Sequence, residues 1–165
     1  MTYQLTEKEM KILRLLAHGR CAVKDLSNPD RPSAIVFGNS RFEADLIGIM
    51  GEYVVAKHLG VPFDTTIHLE GDGGITDLTY EDLSVQVKST KYRTGRLMFF
   101  RKEEIKADIY VLCTVLHEQC QATIVGWIDQ AMALQLVSQM DLGRGLRWVI
   151  EQRQLLPISD LTKLS

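Results

Sequence analysis

Apolar positions recur at helical spacing over two stretches of the chain. In the first, Met10, Leu13, Leu16 and Ala17 form a stripe with Ile12 and Leu15 beside it. Thr6 and Glu9 stand ahead of it at capping-box spacing and Gly19 follows it, which predicts a helix from about Glu7 to Ala17. In the second, Ser40 and Glu43 repeat the box, and Gly60 and Pro62 supply the stop, which predicts a helix from about Arg41 to Leu59. Its apolar arc holds Phe42, Leu46, Ile49, Met50, Tyr53 and Ala56. Glu52 lies on the border of that arc, a poor place for a carboxylate without a partner. Between the two stretches, residues 27–39 carry two prolines and several turn formers and read as a loop or hinge.

After a glycine-rich turn at 71–74 the period falls to two. Ile75 to Tyr80 and Leu83 to Ser89 alternate as the strands of a hairpin that turns at Glu81 and Asp82. A short helix is expected over Lys102 to Ala107, then a strand over Ile109 to Leu116 whose near-continuous apolar run suggests a central position, buried on both faces. His117 to Cys120 turn into a strand over Ala122 to Trp127, and Asp129 can cap a helix running to about Gln139. Gly143 and Gly145 flank a break before a last strand, Arg147 to Ile150, and the tail from Gln152 reads as short helix or coil around Pro157. The expected organisation is an α/β domain over residues 40–165, with residues 1–39 as an N-terminal helical extension.

Composition bounds the class of protein. With 45% apolar and 24% charged residues in 165, the chain can bury roughly 70% of its unfolded surface without disulfides or a structural metal. Three cysteines, with no CxxC pair and no His at zinc-ligand spacing, suit a reducing cytoplasm. No apolar run approaches the roughly 20 residues of a membrane span, so no membrane partner is expected. The net charge of −2 argues against binding nucleic acid through bulk positive field, but not against a local basic patch.

Such a patch follows the hairpin. Lys91, Arg93, Arg96, Arg101, Lys102 and Lys106 fall close together against only Glu103 and Glu104, with Tyr92 placed to stack on a base. Within the hairpin, alternation sends Leu83, Val85 and Val87 toward a core and Ser84, Gln86 and Lys88 to the other side. If residues 80 and 83 pair, Asp77 falls opposite Gln86 with Cβ atoms ~5 Å apart. An acid, an amide and a lysine so placed could hold a hard divalent cation and a phosphate. The plainer alternative is a turn-forming Asp beside a solvated strand face.

The order of these pieces, the GEYVVAKHLG helix (51–60), GDGGITDL (71–78) and SVQVKST (84–90), resembles the PD-(D/E)XK nuclease superfamily. The later segments KADIYVLCTV, ATIVGWI and RWVIEQRQLLPISDL extend the similarity over most of the chain from about residue 40. The resemblance implies a restriction-endonuclease-like fold, a central mixed β-sheet flanked by helices. It implies a DNA endonuclease in which Glu52, Asp77, Gln86 and Lys88 are catalytic. Mg²⁺, or Mn²⁺ in its place, would be held by Glu52, Asp77, Gln86 and the Val87 carbonyl, with Lys91, Tyr92, Arg93, Arg96 and Arg101 on DNA. The sequence departs from the usual pattern at Gln86, where an acid normally precedes the lysine by two, and a neutral amide weakens the hold on a cation.

Other candidates are weaker. Asp72 could add a ligand but suits a turn, and His58 could touch phosphate but suits a helix surface. His18, His68 and His117 have no nucleophilic partner at a telling spacing. Cys113, Trp127 and Trp148 read as packing residues. A nuclease fold that binds DNA without cutting it and a helix-turn-helix regulator are the competing readings, the second short of room for a recognition helix in residues 20–39. Cutting both strands of a duplex would favour a homodimer.

Overall fold

The computed structural model describes residues 1–27, 40–67, 76–143 and 145–161. The expected loop through residue 39, His68, and the glycine-rich turn with Asp72 and Ile75 lie outside the described residues, as does the end of the tail.

The protein is a mixed α/β structure built on a five-stranded sheet. A first strand, β1 (Thr2–Gln4), precedes helix α1 (Glu7–Ser27) and helix α2 (Arg41–Leu59). The hairpin follows as β2 (Leu78–Tyr80) and β3 (Leu83–Thr90), then β4 (Leu97–Phe99), β5 (Ile109–Leu116) and β6 (Gln121–Asp129). Helix α3 (Gln130–Leu136), strands β7 (Ser138–Asp141) and β8 (Leu146–Ile150), and the short helix α4 (Ile158–Leu161) complete the chain. The large sheet has the order β1-β6-β5-β3-β2, and β4-β8-β7 form a second, three-stranded sheet. Strands β3 and β5 are parallel and the other pairs antiparallel, so β5 is central as its apolar run suggests.

Local signals set α2 at its expected limits. The Ser40 hydroxyl accepts from the Glu43 N–H at 3.2 Å, the Glu43 carboxylate accepts from the Ser40 N–H at 2.8 Å, and Gly60 takes a left-handed conformation at the C-cap. Helix α1 is a correction: it does not stop at Gly19 but runs ten residues past Ala17. That glycine is a point of close approach, since a Cβ there would stand 2.2 Å from Ile67 Cδ1. Two more differences are corrections. The residues expected as a helix at 102–107 form a single 3₁₀ turn, Lys102–Glu104; α3 ends at Leu136, and its expected continuation pairs as β7.

The two faces of the large sheet are covered differently. Helices α1 and α2 pack on one face, where Leu13, Ala17, Ile49, Met50 and Val54 meet Val85, Val87, Val111 and Cys113. The other face, through Tyr110, Leu112 and Ile128, meets Leu97 and Phe99 of β4, Ile150 of β8 and Ala133 of α3. Residues 1–27 are built into this core: β1 pairs with β6, and the α1 stripe belongs to the cluster beneath α2. Among the described residues no helix is long and apolar enough to cross a membrane.

Candidate functional site

The site is assembled along β3. Tyr80 pairs with Leu83 across a two-residue turn in which Glu81 and Asp82 both have positive φ, 48° and 66°, the geometry that matches the twist of a hairpin. Val85 and Val87 are buried toward α2 as alternation demands, while Leu83, at the turn, is 39% exposed and not part of the core. Ser84 bonds the start of β5 through the Asp108 carboxylate, to which it donates from both N–H and hydroxyl at 2.8 and 2.6 Å. These two bonds hold the Asp108 carboxyl below its ordinary range.

Asp77 departs from strict alternation. Leu78 pairs with Val85, and the Asp77 N–H also donates to the Val85 carbonyl at 2.9 Å. Two residues thus face one, the pattern of a β-bulge, and Asp77 is not set squarely opposite Gln86 as a regular ladder predicts. Its carboxylate instead lies on the β2 side of β3, beyond the last β2–β3 pair, where Oδ2 accepts from the Val87 N–H at 2.7 Å. Since the N–H and C=O of one strand residue point to the same side, the Val87 carbonyl faces this side as well.

Glu52 has the partner its position requires. Arg20 of α1 donates to both carboxylate oxygens at 3.1 and 3.4 Å, and both side chains are only 15% exposed. Arg20 continues the stripe of Leu13, Leu16 and Ala17 by one helical turn, a signal lost when the helix is ended at Gly19. The pair belongs to an antiparallel seam with Lys24–Asp45 and Lys57–Glu9. Within that seam the Lys57 bond, supported by Thr6 and Tyr53, pulls the Glu9 carboxyl down to about 2, and burial beside Glu9 pushes the Tyr53 phenol up to about 12.

Lys88, which alternation puts on the face of β3 opposite Val87, lines a cavity of about 550 Å³ with Lys91, Arg96 and Arg147. Ser89, Thr90 and Tyr92 add polar and aromatic wall, and Ala44, Ile47, Met98 and Leu112 the apolar part. Among the described residues no acidic side chain lines it. Arg96 is shared with Glu151 outside, Nε to Oε1 at 2.6 Å, so its charge is partly spent on the fold. Gln152 pins the basic loop by donating to the Arg93 and Gly95 carbonyls at 2.8 and 2.7 Å. Lys91 Nζ lies 5.9 Å from the centre of the exposed Tyr92 ring. Arg93 and Arg101 are exposed and stand outside the cavity lining. Arg147 could not be found from the sequence, because it lies in another sheet and no local pattern ties it to β3.

Other candidates resolve into structure. His58 Nδ1 bonds the Tyr3 hydroxyl at 2.7 Å, and burial lowers its pKa, so it joins β1 to α2. His18 stacks on Phe42 with ring centres 4.3 Å apart. The Cys113 thiol is sealed under α2 and pushed up to about 12 by burial, which makes it unreactive. Trp127 is buried and donates to the Pro157 carbonyl at 3.1 Å, a packing role as expected.

The donors near β3 have the chemistry of a hard-cation site, all oxygen: the Asp77 carboxylate and Val87 carbonyl share the β2 side of β3, and the Gln86 amide is the neighbouring residue. Glu52 is held by Arg20, and among the described residues no three His, Cys, Asp or Glu side chains gather to hold a metal ion. Comparison with protein-family models, with curated proteins and with solved structures found no match to this chain.

Proposed function

We propose that this chain is a Mg²⁺-dependent DNA phosphodiesterase with a restriction-endonuclease-like fold, Mn²⁺ being able to substitute. One observation carries the reading: the lysine of the Gln-x-Lys strand opens into a cavity whose described charged lining is cationic throughout. A phosphate-rich substrate accounts for that lining, since Lys and Arg neutralise backbone charge. The succession of a helix, a hairpin and a central strand parallel to the second hairpin strand supports the fold assignment.

In this reading Asp77, the Val87 carbonyl and the Gln86 amide would hold the ion, which when bound polarises the scissile phosphate and lowers the pKa of an attacking water. Lys88 would set its ammonium against phosphate charge that grows during attack. Lys91, Arg93 and Arg101 would fix the DNA backbone and Tyr92 would stack on a base, with Arg96 contributing what Glu151 leaves of its charge. Glu52 would join the ligands only by giving up Arg20. A second copy of the chain would serve cleavage of both strands.

The Arg20–Glu52 pair and the uncharged Gln86 favour a second reading, a nuclease fold that binds DNA without cutting it. Incubating plasmid and labelled DNA structures with the protein in Mg²⁺, in Mn²⁺ and in EDTA separates the two. The expected result is cleavage with either ion, none in EDTA, and none by Asp77→Ala. DNA binding with no cleavage under any ion supports the second reading, and absence of both binding and cleavage removes both.

A further inference from the structure

The cavity is too small for a duplex and of the right size for one nucleotide. At about 550 Å³ it falls within the roughly 300–1,000 Å³ of small-molecule pockets. A duplex laid across its mouth would reach the exposed cations Arg93 and Arg101, but only an unpaired nucleotide can fill the interior. We infer that this cavity holds a single unpaired nucleotide of a DNA strand, its phosphate between Lys88 and Arg147 and its base on Tyr92. The inference rests on the phosphodiesterase reading for the choice of DNA, and names the part of the substrate that the site selects.

Three features fit that occupant. The walls are mixed as a nucleotide is mixed: cations and hydroxyls at Lys88, Thr90 and Arg147, and apolar surface at Met98 and Leu112. Tyr92 presents a ring that is 55% exposed, beside the Lys91 ammonium, so a stacked base would have cationic charge next to it. Arg147 holds its guanidinium over the Phe100 ring at 4.7 Å, with Nη1 donating to the Leu146 carbonyl at 2.8 Å and Nε buried without a partner among the described residues. A planar cation fixed on an aromatic face with most of its donors unused is prepared for a phosphate, for which guanidinium has the matching fork. Gly143 and Gly145, with φ of 81° and 90°, shape the turn that brings Arg147 to the cavity from the second sheet.

The test measures binding in EDTA, so it does not depend on cleavage. The probes are a fluorescent 5′-phosphorylated ten-nucleotide single strand and a blunt duplex of the same sequence. The wild-type protein is expected to bind the single strand at least about tenfold more tightly than the duplex. Arg147→Ala and Tyr92→Ala should each cost about tenfold on the single strand and leave the duplex within about twofold, while Tyr92→Phe keeps the stacking ring and the affinity. Thermal melting of each variant identifies loss of fold, and Tyr92→Phe gives a second comparison if Arg147→Ala does not fold. Equal wild-type affinity for the two probes, or equal losses on both, overturns the inference. A strand preference that persists in a protein unable to cleave with Mg²⁺ or Mn²⁺ leaves the inference standing and removes the phosphodiesterase reading alone.

Discussion

The two sides of β3 are finished in opposite ways. Toward α2, Val85 and Val87 are buried and Gly51 comes so close that a Cβ on it would stand 1.9 Å from Ser89 Oγ. On the opposite face Lys88 lines a cavity whose described charged side chains are all cations and whose apolar wall includes Ala44 and Ile47 of α2. Residues one step apart on the same strand therefore serve different ends, because a strand sends neighbours to opposite faces. The difference teaches that burial under the helix and candidate chemistry alternate along one strand, so substitutions at the two kinds of position should fail in different measurements.

The largest effect is expected at Lys88. Lys88→Ala should lower the single-turnover cleavage rate at saturating DNA by a factor on the order of 10², against a loss of single-strand affinity of no more than about tenfold, with the melting temperature little changed. Quenched-flow cleavage and anisotropy read the two quantities; a fall in affinity as large as the fall in rate would make Lys88 a binding group only. On the other side, Gly51→Ala should destabilise the fold by about 1–3 kcal/mol, since helix and strand must move apart to admit a methyl group. Urea unfolding measures it, and an unchanged midpoint would show that the helix–sheet contact is loose.

The α1–α2 seam sharpens the comparison through pH. Glu9 titrates near 2 in the fold against an ordinary 4.5, so its contribution is full above about 4.5 and disappears as pH falls toward 2. Glu9→Gln should cost about 1–2 kcal/mol at neutral pH and nothing at the acid end, which flattens the stability profile between those limits. Parallel profiles for the variant and the wild type would remove Glu9 as the cause. The smallest effect belongs to Arg93, an exposed cation outside the cavity: Arg93→Ala should weaken DNA binding a few-fold and lower the salt slope by about one, with saturating turnover unchanged. A salt titration of binding checks the slope.

Sequence by itself determined the elements whose causes lie within a few residues. Ser40, Glu43 and Gly60 bound α2 because caps act on the adjacent turn, and the run Ile109–Leu116 marks the central strand because a strand buried on both faces has no polar side. The Glu81–Asp82 turn and the alternation of Val85, Gln86, Val87 and Lys88 were legible for the same reason. The tertiary structure alone decided the bulge that turns Asp77 from Gln86 to the Val87 N–H, the Arg20 that holds Glu52, and the Arg147 that completes the cavity. It also decided β1, β4 and β7, strands of three or four residues whose pairing partners are supplied by the fold. A short segment carries too little periodicity to declare itself. A side chain's partner across tens of residues follows from how the layers pack, which no local pattern encodes.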